Sequence, residues 1–121
     1  MNEKTLPQNT LQPSVNLKRK LNVTSEEIIL LRADVNYTEI FFTNGEKIVL
    51  SKTLKELERK FNFATDLFFR THKSFLINLA YIQNFQPNNS KNIRLINNQI
   101  AILSRRKKDA FLEAIRKKAL I

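Results

Sequence analysis

The sequence predicts a mostly β domain with one short internal helix and one C-terminal helix. Apolar runs of about four residues dominate the chain from residue 27 to residue 103, and polar turn segments separate them. Helical spacing of apolar residues replaces this pattern in only two segments, residues 51–61 and 105–121. The chain has 121 residues, which is enough for one domain with a modest hydrophobic core.

The first predicted strands are residues 28–31 and 40–42, which are dense in Ile, Leu and Phe. Asn44-Gly45 then predicts a hairpin that leads into a third strand, residues 47–50. Gly45 is the only glycine of the chain, and we expect it in this turn because a tight hairpin needs a residue that tolerates positive φ.

A short amphipathic helix is predicted next. Leu54, Leu57 and Phe61 recur at intervals of three and four residues, so they lie on one helical face. Thr53 and Glu56 have the spacing of a capping box at the start of that helix. We therefore expect the apolar stripe of the helix to pack on a sheet.

The second half of the chain predicts more strands and the terminal helix. Turn residues occupy 86–92, and Asn97-Asn98 predicts a second hairpin, because Asn tolerates the left-handed backbone of a two-residue turn. The predicted elements are strands at 67–69, 75–79, 81–85, 93–96 and 99–103, and a basic helix from 105 to 121.

The N-terminal segment differs in texture from the rest. Residues 1–17 are polar, contain two prolines and have no sustained period, which predicts a flexible tail ahead of a domain spanning 18–121. A basic cluster at the domain edge, Lys18-Arg19-Lys20, is either a solvated turn or a DNA-contacting arm.

The charge of the chain points to a polyanionic partner. Lys and Arg number 21 against 11 Asp and Glu, a formal net charge of +10. Such an excess in a small domain favours contact with phosphate, so nucleic acid is the predicted partner class. Double-stranded DNA and RNA both remain open on composition alone.

Composition also argues against catalysis and metal binding. The chain has no cysteine and a single histidine, so we expect no disulfide, no metal site, no cofactor and no enzymatic activity. No apolar run approaches the length of a membrane span, and no signal peptide is visible, so the expected location is the cytoplasm.

Three polar joints stand out at strand ends, each rich in hydrogen-bond donors. They are residues 34–38 (DVNYT), 70–74 (RTHKS) and 104–108 (SRRKK), which we call the first, second and third loops. Polar loops that a β scaffold positions are common binding elements.

In this combination the chain resembles the LytTR family, the DNA-binding domain of many bacterial response regulators and stand-alone transcription regulators. The resemblance covers about residues 18–118. It is carried by the Phe-x-Arg-x-His-x-Ser block and its apolar continuation at 69–78, together with the segments ADVNYT (33–38), LKEL (54–57) and LSRRK (103–107).

The resemblance implies an elongated arrangement of antiparallel sheets whose loops read successive major grooves of double-stranded DNA. It also implies that binding bends the DNA and that two protomers bind repeated half-sites as a dimer. The implied base-contacting residues are Asn36 or Tyr37 in the first loop, Lys73 in the second and Arg105 in the third. Their chemistry agrees, since Arg pairs with guanine and Asn with adenine in the major groove. Tyr37 is alternatively an aromatic residue at the edge of the core.

The remaining residues of the three loops are expected to contact the DNA backbone or to brace the loops. These residues are Arg70, His72, Ser74, Ser104, Arg106, Lys107 and Lys108. Arg70 either contacts phosphate or pairs with a carboxylate such as Asp34 or Asp66. His72 either braces the loop or contacts DNA, while Ser74 and Ser104 are expected to cap turns or the last helix. Asn78 is expected to be a buried residue that fixes strand geometry.

The chain departs from the family pattern in three places. Val35 replaces the usual glycine of the first loop, which leaves the backbone course there open. The segment before Ile28 is short, so the first hairpin is expected to be short or incomplete. No receiver domain fits ahead of the predicted DNA-binding domain, which predicts either a stand-alone regulator or the effector part of a longer one, with an unidentified regulatory partner.

The alternative function is a basic RNA- or ribosome-associated β domain.

Overall fold

The structure is a computed structural model that describes residues 14–18, 21–86 and 91–119. Its strands form three antiparallel sheets. A two-stranded sheet pairs β1 (Ser14–Lys18) with β2 (Leu21–Thr24). The central sheet has the order β5-β4-β3-β7-β6 and contains β3 (Ile28–Asp34), β4 (Tyr37–Phe42), β5 (Lys47–Leu50), β6 (Phe68–His72) and β7 (Phe75–Asn78). The third sheet has the order β10-β9-β8 and contains β8 (Ile82–Asn84), β9 (Asn92–Leu95) and β10 (Ile100–Ile102).

Two helices complete the described fold. Helix α1 (Leu54–Ala64) follows β5, and helix α2 (Lys108–Ala119) follows a 3-10 turn at Arg105–Lys107. The predicted fold class is therefore confirmed: antiparallel sheets dominate, with one internal and one C-terminal helix. The terminal helix begins three residues later than predicted, because residues 105–107 form the tighter 3-10 turn.

The central sheet is covered on both faces, which explains the continuous apolar run Ile28-Ile29-Leu30-Leu31. Ile28 and Leu31 pack into one core with α1 and the β1–β2 hairpin. Ile29 and Leu30 belong to a second core with the third sheet and Phe111 of α2. Side chains of a strand alternate between its two faces, and the register shift between Ile28 and Leu30 lets the successive residues Ile29 and Leu30 face the same core. A strand between two cores therefore needs apolar residues at every position.

Local signals placed α1 and two hairpins correctly. Thr53 is the N-cap of α1: its hydroxyl accepts from the Glu56 amide at 3.1 Å, and its own amide donates to Glu56 Oε1 at 3.0 Å. Gly45 has a φ of +92°, as expected of the β4–β5 turn. In the β9–β10 hairpin, only Asn98 has positive φ, and the Leu95 amide donates to the Gln99 carbonyl, so the turn has three residues rather than the predicted two.

The predicted boundary between tail and domain at residue 18 does not coincide with the start of the fold. Strand β1 begins at Ser14, and Val15 and Leu17 are buried in the core beside α1. Lys60 of α1 also donates to the Asn16 carbonyl at 3.0 Å. Residues 14–17 are therefore part of the domain, and β1 and β2 share four residue pairs. Residues 1–13, Arg19 and Lys20 lie outside the described residues.

Asn78 has the predicted structural role. It is fully buried at the end of β7, where its side-chain amide donates to the carbonyls of Ser25 and Ile28 at 3.3 and 3.0 Å. Its side-chain oxygen accepts from the Ala80 amide at 2.9 Å. These bonds tie β7 to the start of β3.

Candidate nucleic-acid interface

The three loops lie together where strands of the central sheet end, a side of the domain that we call its edge. The first two are brought side by side by the pairing of β3 with β7, in which Arg32 is opposite Phe75. Just beyond that pair, the Ala33 amide donates to the Ser74 carbonyl at 2.9 Å. The third loop joins the second through the Ser104 amide, which donates to the Thr71 carbonyl at 2.8 Å. Residues 30 or more positions apart in the chain thus form one continuous surface.

The first loop is a two-residue turn between β3 and β4. Asp34 is opposite Tyr37, so Val35 and Asn36 form the tip. All four of these residues are exposed, and Tyr37 is 53% accessible, which places it on the surface rather than at the edge of the core. Val35 has a φ of +55°, an uncommon conformation for a β-branched residue.

The base of the first loop is held by Thr38. This residue is fully buried, and its hydroxyl donates to the Lys52 carbonyl at 2.7 Å. The bond attaches the connection between β5 and α1 to the loop. Lys52 therefore lies at the same edge of the sheet as the three loops, although it was not among the predicted site residues.

The second loop is braced from within by Arg70. Its guanidinium donates from Nε to the His72 carbonyl at 3.0 Å and from Nη2 to the Lys73 carbonyl at 2.8 Å. Its third bond, from Nη1, is an ion pair with Glu58 of α1 at 2.6 Å. The predicted carboxylate partners, Asp34 and Asp66, were wrong, because α1 lies beside β6 and presents Glu58 to the guanidinium.

The other residues of the second loop divide between bracing and exposure. The Ser74 amide donates to His72 Nδ1 at 3.1 Å, so the imidazole holds the turn. The side chain of Lys73, at the tip, is exposed. The strand pairing is irregular between Arg70 and His72, and this bulge buries Thr71 between them.

The third loop leads from β10 into α2 and is strongly cationic. Ser104 is at the N-cap position of the 3-10 turn, but its hydroxyl makes no capping hydrogen bond. Arg105 and Arg106 are exposed, whereas Lys107 is half-buried with its ammonium 5.8 Å from the centre of the Phe69 ring, a cation–π distance. Lys108 is the half-buried first residue of α2.

A shallow cleft of about 390 Å³ separates the second and third loops. It is lined chiefly by cationic and hydrogen-bonding side chains: Glu58, Arg70, His72, Lys73, Ser104, Arg106 and Lys107. Glu58 is the only carboxylate of this lining, and its charge is matched by Arg70. The remaining charge of the cleft is positive, which suits an anionic partner such as a phosphate group.

No group of three or more metal-ligating side chains occurs among the described residues. Within the same residues, no helix has the length and apolar character to cross a membrane.

A β scaffold that presents three polar loops at one edge, two of them basic, fits the nucleic-acid-binding class of domains. The LytTr DNA-binding domain family matches residues 18–116, and the chain belongs to this family. A solved structure with the same fold is the LytTr DNA-binding domain of a protein from Bacillus cereus described as a methyl-accepting/DNA response regulator. The two share 20% identity with a TM-score of 0.68, over 86% of this chain and 97% of that one. No curated protein sequence matches this chain.

Proposed function

We propose that this protein is a sequence-specific regulator of transcription that reads double-stranded DNA with its three loops. The observation that carries the proposal is the convergence of the loops through the Ala33–Ser74 and Ser104–Thr71 hydrogen bonds. This convergence gives one edge several exposed donors on short, well-held turns. A bacterial regulator of this kind acts in the cytoplasm, where the chromosome lies.

The loops divide between base reading and backbone contact in this proposal. Arg105 is exposed at the start of the third loop and can donate two parallel hydrogen bonds to guanine O6 and N7. Lys73 reaches the same acceptors as a flexible point charge, and Asn36 pairs with adenine. Tyr37 flanks Asn36 and contacts a thymine methyl group or a phosphate.

The backbone contacts belong to the cations around the cleft. In this proposal Arg106, Lys107 and Lys108 bind phosphates, and Lys52 at the base of the first loop joins them. Such contacts fix the position of the protein on the duplex without selecting sequence. Arg70, His72, Ser74 and Ser104 then act indirectly, by holding the second and third loops in place.

We further propose that loops entering successive major grooves bend the duplex, and that two protomers bind repeated half-sites. Bending a site by 40–90° costs roughly 1–6 kcal/mol, which added contacts offset. Bending is measured by comparing the gel mobility of the complexes formed on duplexes that carry the site at the centre with that of complexes on duplexes that carry it at one end. The number of protomers on each duplex follows from sedimentation of the complex.

The proposal is tested by selecting bound duplexes from a random library and then titrating the selected site. Arg105→Ala should weaken binding to that site by about 1–3 kcal/mol and relax selectivity at one base pair. Lys108→Ala is the matched control, because it should weaken selected and random duplexes alike and flatten the salt dependence.

Three outcomes would contradict the proposal or one of its residue assignments. Selection that yields no enriched sequence would exclude specific reading of DNA. If single-stranded RNA displaces a labelled duplex at a concentration equal to or below that of unlabelled duplex, the RNA-associated alternative is favoured instead. Equal losses for Arg105→Ala on selected and random duplexes would remove Arg105 from the base-reading residues.

A further inference from the structure

The tip of the first loop combines two unfavourable features in one residue. Val35 has a φ of +55°, although its branched side chain crowds the backbone in that region. The same side chain is 92% accessible, so its methyl groups make almost no contact within the described chain. Neither the backbone strain nor the apolar exposure is offset by packing in the unbound domain.

The position of Val35 leaves the backbone little freedom to relax. Asp34 is opposite Tyr37, so only Val35 and Asn36 connect the two strands. Thr38, the residue after Tyr37, is buried, and its hydroxyl donates to the Lys52 carbonyl. A slip of one residue would turn Thr38 outwards and reverse the faces of β4, because side chains alternate along a strand. The strand register therefore holds Val35 at the tip, with its side chain pointing out.

We propose that Val35 is a specificity-determining residue that contacts the C5 methyl group of thymine in the major groove. This inference rests on the proposed function and adds a base preference to it. Thymine is the only base of DNA that carries a methyl group in this groove, and apolar side chains discriminate it by contact. Strained backbone conformations cluster at binding sites, and a ligand group that buries Val35 would remove its apolar surface from water.

The neighbouring side chain specifies the same base pair. Asn36 can donate to N7 and accept from N6 of adenine, whose thymine partner presents its methyl group beside these atoms. An amide and a branched apolar group on adjacent tip residues thus match the two halves of an A·T pair. The first loop should select A·T pairs, whereas Lys73 and Arg105 in the other loops favour guanine.

The test uses the selected duplex with each thymine of the first-loop segment replaced, one at a time, by deoxyuridine, which removes only the methyl group. Wild-type protein should lose roughly fourfold in affinity at one or two of these positions, the effect of one methylene-sized group removed from an apolar contact. Val35→Gly should lose a similar factor on the thymine duplex and show no further loss with deoxyuridine. Val35→Asn, which also tolerates positive φ, should behave as the glycine variant does.

Two controls separate this contact from general effects. Glycine adopts positive φ without strain, so Val35→Gly should fold with a Tm no lower than that of the wild type by more than a few degrees. Phe63 is 95% accessible at the far end of α1, away from the three loops, so Phe63→Ala removes an equally exposed apolar side chain. Its affinity and its response to deoxyuridine should equal those of the wild type.

The failure of this inference is distinguishable from the failure of the proposed function. If wild-type protein binds the selected site but no deoxyuridine substitution weakens it, Val35 does not read thymine, and specific DNA binding stands. The same conclusion follows if Val35→Gly keeps the full response to deoxyuridine. If no duplex is selected at all, the proposed function itself is wrong.

Discussion

The first and second loops lie side by side at one edge of the sheet, yet they are held in different ways. The second loop is fixed by side chains: Arg70 bonds to two loop carbonyls and to Glu58, and His72 accepts from the Ser74 amide. Within the part of the chain that the structure describes, no side chain bonds to the tip of the first loop. Its shape follows from strand register, with Thr38 bonded at its base and Val35 at positive φ.

This difference separates two ways of building a binding loop. In the second loop, most of the polar residues are used for bracing, and Lys73 alone is left exposed at the tip. In the first loop, both tip residues are exposed, and the backbone carries the strain. Substitutions in the second loop should therefore affect stability first, whereas substitutions at the tip of the first loop should affect binding alone.

The largest expected effect on stability is that of Arg70→Ala. The side chains of Arg70 and Glu58 are only 19% and 28% accessible, so the change leaves a half-buried carboxylate and two carbonyls without their donor. We expect a loss of about 1.5–3 kcal/mol in the free energy of unfolding, the range for hydrogen bonds to charged groups. Urea denaturation measures it as a lower midpoint with an unchanged m-value.

Arg105→Ala is the matched control for this substitution, because Arg105 is exposed in the third loop. It should change stability by no more than about 0.5 kcal/mol. The Arg70→Ala variant should also bind the selected duplex more weakly, and adding Lys73→Ala should then cost less than it does in the wild type. Denaturation of Arg70→Ala at the wild-type midpoint would show that these bonds do not hold the second loop.

A smaller effect is expected at the base of the first loop. Thr38→Val keeps the shape of the side chain but leaves the Lys52 carbonyl without its donor, so it should cost about 1 kcal/mol of stability. Asn36→Ala, two residues away at the exposed tip, should leave the thermal midpoint unchanged and weaken DNA binding. If Asn36→Ala destabilised the fold more than Thr38→Val, the proposed division between base and tip would be wrong.

The smallest effect concerns pH and the strands behind the first loop. Burial alone would raise the pKa of Glu39, but hydrogen bonds from Arg32 and Lys47 outweigh it and hold the pKa below its usual value of 4.5. A carboxyl with a lowered folded-state pKa stabilises the fold above its unfolded pKa, and that contribution is lost as pH falls through the folded value. Because Arg32 and Lys47 are partly exposed, we expect less than about 1 kcal/mol.

Glu39→Gln tests this prediction by the difference in Tm between roughly pH 6 and pH 3. The variant should lose less stability on acidification than the wild type does. Glu56 also has a lowered pKa, because it accepts from the Thr53 backbone, so some acid sensitivity should remain in the variant. Identical pH profiles for the two proteins would show that the Arg32–Glu39–Lys47 cluster contributes nothing.

Much of the fold could be predicted because its signals are local. The Thr53–Glu56 capping box and the Gly45 turn act over three or four residues, and both are present as expected. Strand β1 was missed because its signal is not local: Val15 and Leu17 are buried in a core that includes α1, more than 30 residues further on. A five-residue strand beside prolines looks like a tail until that helix is placed.

The candidate site was predicted in its parts but not in its connections. The three loops, Lys73 and Arg105 follow from the sequence and the family resemblance, and their roles on DNA remain proposals. Glu58 and Lys52 were missed because neither lies in one of the three loops. Glu58 reaches Arg70 from α1, and Lys52 lies in the connection between β5 and α1. Glu58 had one available signal, since it lies between Leu57 and Phe61 and so adjoins the buried stripe of α1.

The sequence by itself determined most of the elements, the basic character and the family of this protein. Periodicity, turn residues and net charge depend on neighbouring residues or on simple composition, so they survive without coordinates. The tertiary structure decided which carboxylate holds Arg70, how the three loops meet and that Val35 sits at positive φ on an exposed tip. Those features depend on strand register and helix packing, which join residues distant in the chain and leave no local trace in it.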